Sequence, residues 1–228
     1  MSAGAEAAID WRLVDTIVLD MDGTLLDLHF DDLVWNDALP RSYAARGGMD
    51  FELARNTIRA RLDAARGRLE FYCLDHWSHV FGIDLHGIEQ GLAAHVRARP
   101  QARAFLQWAA ARGLRLILAT NAHPRSLARK LELTGIGHWF EQVVSAHELG
   151  HPKEDDAFWQ ALAALCAFDG ERTLFIDDNH SVLDAARRHG IRFLRGVAYP
   201  DSEGAEVRHP DFHCIASFSD LAGPLPGC

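Results

Sequence analysis

The run Asp15-Thr16-Ile17-Val18-Leu19 passes directly into Asp20-Met21-Asp22-Gly23-Thr24, and that junction constrains the fold more than any other stretch of the 228-residue chain. A short apolar run rich in β-branched residues reads as a strand buried on both faces, as in parallel sheets. It ends abruptly in two carboxylates, two positions apart, where the strand leaves the sheet. In an open α/β sheet that carboxyl edge is where ligands bind. The glycine and threonine that follow suit a tight loop whose amides can cradle an anion. An acidic site beside an anion cradle calls for a metal between them.

The pattern recurs along the chain. Residues 114–119 (LRLILA) form a second strand signal, ending at Thr120-Asn121. Gln142–Ser145 and Thr173–Ile176 follow, the latter ending at Asp177-Asp178, and 191–197 gives a fifth. Helical patterns over 100–112, 126–133, 155–167 and 181–189 separate them, several stopped by glycine: Gly113, Gly135 and Gly190. Strands alternating with helices of this length predict an α/β fold with a parallel, doubly wound, Rossmann-like sheet. The exception is 30–99, which shows no strand signal and reads as helices over 31–46, 51–66, 70–81 and 88–97. An insert that leaves the sheet directly after the acidic loop lies over it. The expected organisation is therefore a core of 1–29 and 100–228 with an α-helical cap domain of 30–99. No internal repeat is present, and the last ten residues, with Pro224 and Pro226, are expected to fray.

Bulk properties narrow the function. Hydrophobic content of 48% and charged content of 24% are those of an ordinary globular protein. A net charge of −9 argues against a general nucleic-acid binder, because phosphate backbones need a basic surface. No apolar run reaches the roughly 18 residues of a membrane span. The alanine-rich, acidic start does not read as a signal peptide. Cys73, Cys166, Cys214 and Cys228 form no CxxC pair and suit idle thiols in a reducing, cytoplasmic setting. Of 23 basic side chains only Lys130 and Lys153 are lysines. A chain that uses arginine for nearly every positive charge points to a compact charge where it keeps lysine.

On a parallel sheet the strand ends share one edge. That brings together Asp20, Asp22, Asp177 and Asp178, the Thr120 hydroxyl, the Asn121 amide and the Lys153 ammonium. Two like charges about 4 Å apart repel by on the order of 4 kcal/mol at an effective dielectric near 20, so such a cluster calls for protons or a cation. Hard oxygen donors, with no histidine or cysteine in the motifs, suit Mg²⁺ that also binds a substrate phosphate. A carboxylate can attack phosphorus to give an aspartyl-phosphate. A second carboxylate can protonate the leaving oxygen and then deprotonate the hydrolytic water.

Taken in order, Asp20-Met21-Asp22-Gly23-Thr24, Thr120-Asn121, Lys153 and Asp177-Asp178 resemble the four motifs of the haloacid dehalogenase superfamily. The resemblance implies that Asp20 is the nucleophile and Asp22 the general acid/base. It implies that Thr120 binds the transferring phosphoryl group and that Lys153 neutralises nucleophile and phosphate. Mg²⁺ would be held by Asp177 and Asp178 with Asp20 and the main-chain carbonyl of Asp22, and Asp178 is favoured as the direct ligand. Gly23, Thr24 and Asn121 would line the phosphate loop. Beyond the motifs, WRLVDTIVLDMDGTLLDLHFD, FYCLDHWS, TNAHP, GHPKED, ERTLFIDD and GIRFLRGVAYPDS resemble the bacterial GMP/IMP 5′-nucleotidases of this superfamily over 10–211. That resemblance implies hydrolysis of purine nucleoside monophosphates to nucleoside and phosphate. Asn179 stands where serine is commoner, and it can still cap the following helix.

Other residues leave two readings open. Thr24 is expected to orient Asp22, and Asn121 to support the phosphate loop. His123 either packs the loop or approaches substrate. The aromatic run Phe71 to Trp77 is either cap core or a stacking surface for a base, and Arg66 and Arg68 either attract phosphate or pair with cap acids. The rival functions are a phosphatase for another small phosphoester such as a phosphosugar, and a catalytically silent binding protein of the same fold. The sequence implies a small-molecule phosphate ester as partner, with no nucleic acid and no membrane, and leaves the oligomeric state open.

Overall fold

The computed structural model describes residues 9–222. The start of the alanine-rich stretch and the end of the tail, with Pro224, Pro226 and Cys228, lie outside the described residues.

One six-stranded sheet organises the chain, in the order β3-β2-β1-β4-β5-β6 with every pair parallel. β1 (Thr16–Leu19) lies between β2 (Arg115–Thr120) and β4 (Thr173–Ile176). β3 (Gln142–Ser145) lies outside β2, while β5 (Phe193–Val197) and β6 (Cys214–Ile215) extend the other side. The strand order reverses direction between β1 and β4, which is where an open α/β sheet leaves a crevice for ligand. Leu19 stands level with Leu118 and Ile176, so the residues after these three strands emerge together.

Period-two alternation splits the apolar residues between two layers. Ile17, Leu19, Leu116, Leu118, Leu174 and Ile176 face one core, and Val18, Ile117, Ala119 and Phe175 face the other. Between β1 and β2 comes a helical block. It comprises α1 (His29–Asp32), a π turn (Leu33–Ala38), α2 (Leu39–Gly47), α3 (Phe51–Asp63), a 3₁₀ turn (Leu69–Tyr72), α4 (Leu74–Phe81) and α5 (Leu85–Gly91). α6 (Ala102–Ala111) and α7 (Pro124–Thr134) then bury Phe105, Leu106 and Leu127 against the first layer. After the short α8 (Ala146–Leu149), α9 (Asp156–Cys166) and α10 (His180–His189) bury Trp159, Leu162, Val182 and Leu183 in the second. α11 (Ser219–Ala222) closes the described chain.

The helical block has its own apolar centre of Phe30, Val34, Leu39, Ile58, Leu74, Trp77, Phe81 and Leu85. It joins the sheet through two segments that run side by side. Leu26 pairs antiparallel with Ala98, Asp27 N–H donates to Arg97 O at 2.9 Å, and Arg99 N–H donates to Leu25 O at 2.9 Å.

The structure departs from the sequence reading in detail. The helix expected over 31–46 widens into the π turn, because Pro40 has no amide for the carbonyl four residues back. The helix expected from residue 70 is interrupted at Cys73, whose backbone is extended and whose Sγ accepts from His76 N–H. β6, only two residues long, carries no periodicity to read. No helix among the described residues is long and apolar enough to cross a membrane.

Candidate active site

All nine sequence-selected residues gather at the carboxyl edge of the sheet, at or beside the ends of β1, β2 and β4 and after β3. Asp20 is buried, 5% exposed, and its N–H donates to Ile176 O at 3.0 Å, so β4 fixes its backbone. Lys153, 2% exposed, donates from Nζ to Asp20 Oδ1 and, at 2.7 Å, to Asp177 Oδ2. Lys153 is itself pinned: its N–H donates to Asn121 Oδ1 at 2.9 Å, and its carbonyl accepts Trp159 Nε1–H at 2.8 Å. Asn121 completes its bonding by donating from Nδ2 to Glu154 Oε2 at 3.0 Å. Its amide is therefore spent on holding Lys153 and Glu154 in place. Thr120, buried at the end of β2, accepts Ala122 N–H on Oγ1 at 3.0 Å.

Asp20, Asp177 and Asp178 each offer a carboxylate oxygen within 4.8 Å of the others. Asp177 Oδ1 accepts Asn179 N–H at 2.8 Å, and Asn179 caps α10 through Ser181 N–H at 2.9 Å. Gly23 takes φ +80°, and a Cβ there would lie 2.5 Å from Asp178 Oδ2. A side chain at position 23 would thus meet both a left-handed backbone and the third carboxylate. The crowding shows in the acidities. Burial raises the Asp20 carboxyl to about 7, against Lys153 and with help from Asp177. Burial raises Asp177 against the same lysine, and burial with Asp177 and Asp20 raises Asp178 well above the carboxylate range. A buried all-oxygen donor set of surplus negative charge is the chemistry of a hard divalent cation site.

Asp22 is not one of the three clustered carboxylates and lines the cavity. Its Oδ1 accepts from Lys130 Nζ at 2.8 Å. Lys130 also donates to both oxygens of Asp31 at 2.9 Å and lies 4.9 Å from the centre of the Phe30 ring. Burial opposes the Lys130 ammonium, but Asp22 and Asp31 outweigh it and hold the amine above its usual range. Lys130 and Asp31 are the site residues that motif reading missed. The one signal for them is that Lys130 is the other of the two lysines.

Thr24 departs from expectation: its Oγ1 is buried with no hydrogen-bond partner, and only its carbonyl is engaged, by Arg99 Nη1 at 3.2 Å. The Asp22 carboxylate is steadied by Lys130 instead.

A cavity of about 800 Å³ opens above these groups, between the sheet edge and the helical block. Its outer wall includes Trp35, Arg55, Arg59, Arg66, Phe71 and Tyr72. The aromatic run is split by the break at Cys73. Trp77 is buried in the apolar centre of the helical block, stacked on Phe81 at 5.4 Å, whereas Phe71 and Tyr72 line the cavity. Arg66 pairs with Asp63 at 2.7 Å at the cavity wall, and Arg68 donates to Ala64 O at 3.3 Å. Tyr72 O–H donates to Glu154 Oε1 at 2.5 Å, which ties the helical block to the Asn121–Lys153 network. His123 lines the cavity, caps α7 through Arg125 N–H, and lies 3.4 Å from Asp75 of α4.

Comparison with known proteins agrees with this architecture. Residues 14–190 match the family described as haloacid dehalogenase-like hydrolase. The chain is 41% identical over 208 residues to the GMP/IMP nucleotidase YrfG of Escherichia coli (strain K12), covering 90% of this chain and 94% of that protein. It is 24% identical over 242 residues to a phosphoglycolate phosphatase of Pseudomonas savastanoi pv. phaseolicola, covering 99% and 84%. Among solved structures, a HAD phosphatase from Thermococcus onnurineus superposes with a TM-score of 0.78 at 15% identity, over 92% of this chain and 96% of that one. The L-2-haloacid dehalogenase of Xanthobacter autotrophicus gives 0.62 at 17%, over 91% and 96%. At these identities the two structures speak for the fold alone.

Proposed function

The chain belongs to the haloacid dehalogenase-like hydrolases and is a phosphomonoester hydrolase, and from that premise we propose that it is a Mg²⁺-dependent nucleotidase acting on purine nucleoside 5′-monophosphates, GMP and IMP. The observation that carries the chemistry is the buried Asp20 held by Lys153 beside Asp177 and Asp178, with Asp22 at the cavity wall. The substrate class rests on the identity to the nucleotidase and on a cavity large enough for a nucleoside, walled by Trp35, Phe71 and Tyr72.

Asp20, Asp177 and Asp178, with the carbonyl of Asp22, would hold the cation, which when bound offsets negative charge on the phosphoryl oxygens. The Asp20 oxygen not held by Lys153 attacks phosphorus as the P–O5′ bond breaks, and the electron pair stays on the leaving oxygen. Asp22 gives that oxygen its proton. The same carboxylate then takes a proton from water as the water oxygen attacks phosphorus, the Asp20–phosphorus bond breaks and phosphate leaves. Lys153 and the Thr120 hydroxyl balance charge on the phosphoryl oxygens, Gly23 and Thr24 shape the loop beside them, the Gly23 amide being taken by Leu26 O at 2.8 Å, and Asn121 keeps Lys153 aimed. Residues 30–99 act as a cap domain that excludes water over the core of 1–29 and 100–228. A reducing cytoplasmic setting suits the free thiols of Cys73, Cys166 and Cys214.

Phosphate release measured across GMP, IMP, other nucleotides, phosphosugars and phosphoglycolate, each with Mg²⁺ and with EDTA, tests the reading. The expected result is Mg²⁺-dependent release with GMP and IMP highest in kcat/KM. A phosphosugar or phosphoglycolate at the top would replace the substrate class and keep the phosphatase.

A further inference from the structure

We propose that Lys130 is a positioning residue for proton transfer, holding one oxygen of Asp22 so that the other is presented to the leaving group, with Asp31 of the cap keeping Lys130 in register. This inference rests on the role given above to Asp22.

Lys130 lies on α7, 2% exposed, and its Nζ donates to Asp22 Oδ1 at 2.8 Å. Asp22 Oδ2 has no hydrogen-bond partner among the described residues, and the Asp22 side chain is 19% exposed at the cavity wall. A lone aspartate on a glycine turn would sample several side-chain rotamers. Tethering one oxygen removes that freedom while leaving the other oxygen for chemistry. The remaining donors of Lys130 go to the two oxygens of Asp31, and its ammonium lies 4.9 Å from the centre of the Phe30 ring, both residues on α1. The tether is thus complete only when the first helix of the cap lies on α7.

The choice of lysine fits that task. A guanidinium offers a planar fork suited to both oxygens of one carboxylate, whereas the Lys130 ammonium divides its donors between two carboxylates, one to Asp22 and two to Asp31. In a chain that otherwise uses arginine for positive charge, the two lysines end one on each aspartate of Asp20-Met21-Asp22. A bridge serving only to dock the cap would need Lys130 and Asp31, and would not include Asp22.

The test is the dependence on leaving group. A nucleoside 5′-alkoxide must be protonated as it departs, whereas p-nitrophenolate leaves without a proton. kcat/KM covers the steps up to phosphoenzyme formation and so reads the proton donated to the leaving group. Wild type, Lys130→Met and Lys130→Arg are compared on GMP and on p-nitrophenyl phosphate with Mg²⁺. Lys130→Met lowers kcat/KM for GMP on the order of a hundredfold and changes the aryl ester little. Lys130→Arg does not restore GMP hydrolysis. Because Lys130→Met leaves Asp31 without its buried partner, the double variant Lys130→Met/Asp31→Asn, which removes the Asp31 charge as well and leaves only the cavity-lining Asp22 unpaired, is measured beside it and shows the same split. Equal loss on both esters in either folded variant makes Lys130 a structural residue and overturns the proposal, as does full GMP activity. A wild-type protein inactive on both esters sinks the phosphatase mechanism itself, and the inference with it.

Discussion

The two lysines do the same electrostatic work in different mechanical settings. Lys153 bonds Asp20 and Asp177, and its backbone is held by Asn121 and Trp159, so every partner belongs to the sheet or the segments around it. Lys130 bonds Asp22 from one side and Asp31 from the other, and Asp31 lies on the first helix of the cap. The groups proposed to meet phosphorus are therefore built into the sheet and the segments around it. The group proposed to handle the proton, Asp22, is bonded to a lysine that also bonds Asp31 of the helical block. On the proposed mechanism, a cap displaced from α7 would leave the nucleophile in place but loosen the acid, which would tie proton delivery to closure over substrate.

The contrast can be broken at several points. The largest effect is expected for Asp20→Asn: turnover falls by at least about a thousandfold on every ester, with the melting transition retained. Near-normal turnover in that variant removes Asp20 as nucleophile. Next comes Lys153→Met, which should lower kcat/KM by roughly a hundredfold or more on GMP and p-nitrophenyl phosphate alike. A loss confined to GMP would erase the distinction between the two lysines. Cation linkage is the third point. Burial lifts Asp20 to about 7 and raises Asp177 and Asp178, so the folded protein binds more protons than the unfolded chain from the ordinary carboxylate range up to about pH 7. The contribution of these groups to stability is then present at low pH and declines as pH rises through that window. In EDTA the Tm should fall between pH 5 and pH 8, and Mg²⁺ should raise Tm more at pH 8, where it no longer competes with protons. A larger Mg²⁺ gain at pH 5 would contradict the placement of the cation among these carboxylates. The smallest effect is Tyr72→Phe, which removes the hydroxyl bonded to Glu154. A hydrogen bond to a charged group contributes about 1.5–3 kcal/mol, shared here between cap docking and substrate affinity, so KM should rise several-fold with kcat little changed.

How much of this could be read from the chain follows from how each contact is made. The core site was legible because parallel strands in register deliver their ends to one edge. Asp20, Thr120 and Asp177 need no knowledge of side-chain packing to be placed together. Lys130 and Asp31 are joined by tertiary docking of a helix in the cap on a helix in the core, at a separation of 99 residues, and no local pattern encodes it. The scarcity of lysine points at both Lys130 and Lys153, but only Lys153 lies in a strand-end motif. Within the helical block, spacing alone leaves the aromatic run open between core and cavity. Cys73 breaks the helix, so Phe71 and Tyr72 turn to the cavity while Trp77 goes inward. The π turn ahead of Pro40 is a covalent consequence that composition permits but periodicity hides.

The paired segments at Leu26 and Ala98 make the cap, in connectivity, the tip of a hairpin. Its point of departure and its point of return are neighbours on the ladder, so the core's own chain path is nearly continuous without it. A lineage can therefore lengthen, shorten or exchange everything between those two residues and leave the strand order untouched. On the proposed reading, substrate choice and sheet architecture become separately inheritable, except at Asp31, whose carboxylate meets Lys130.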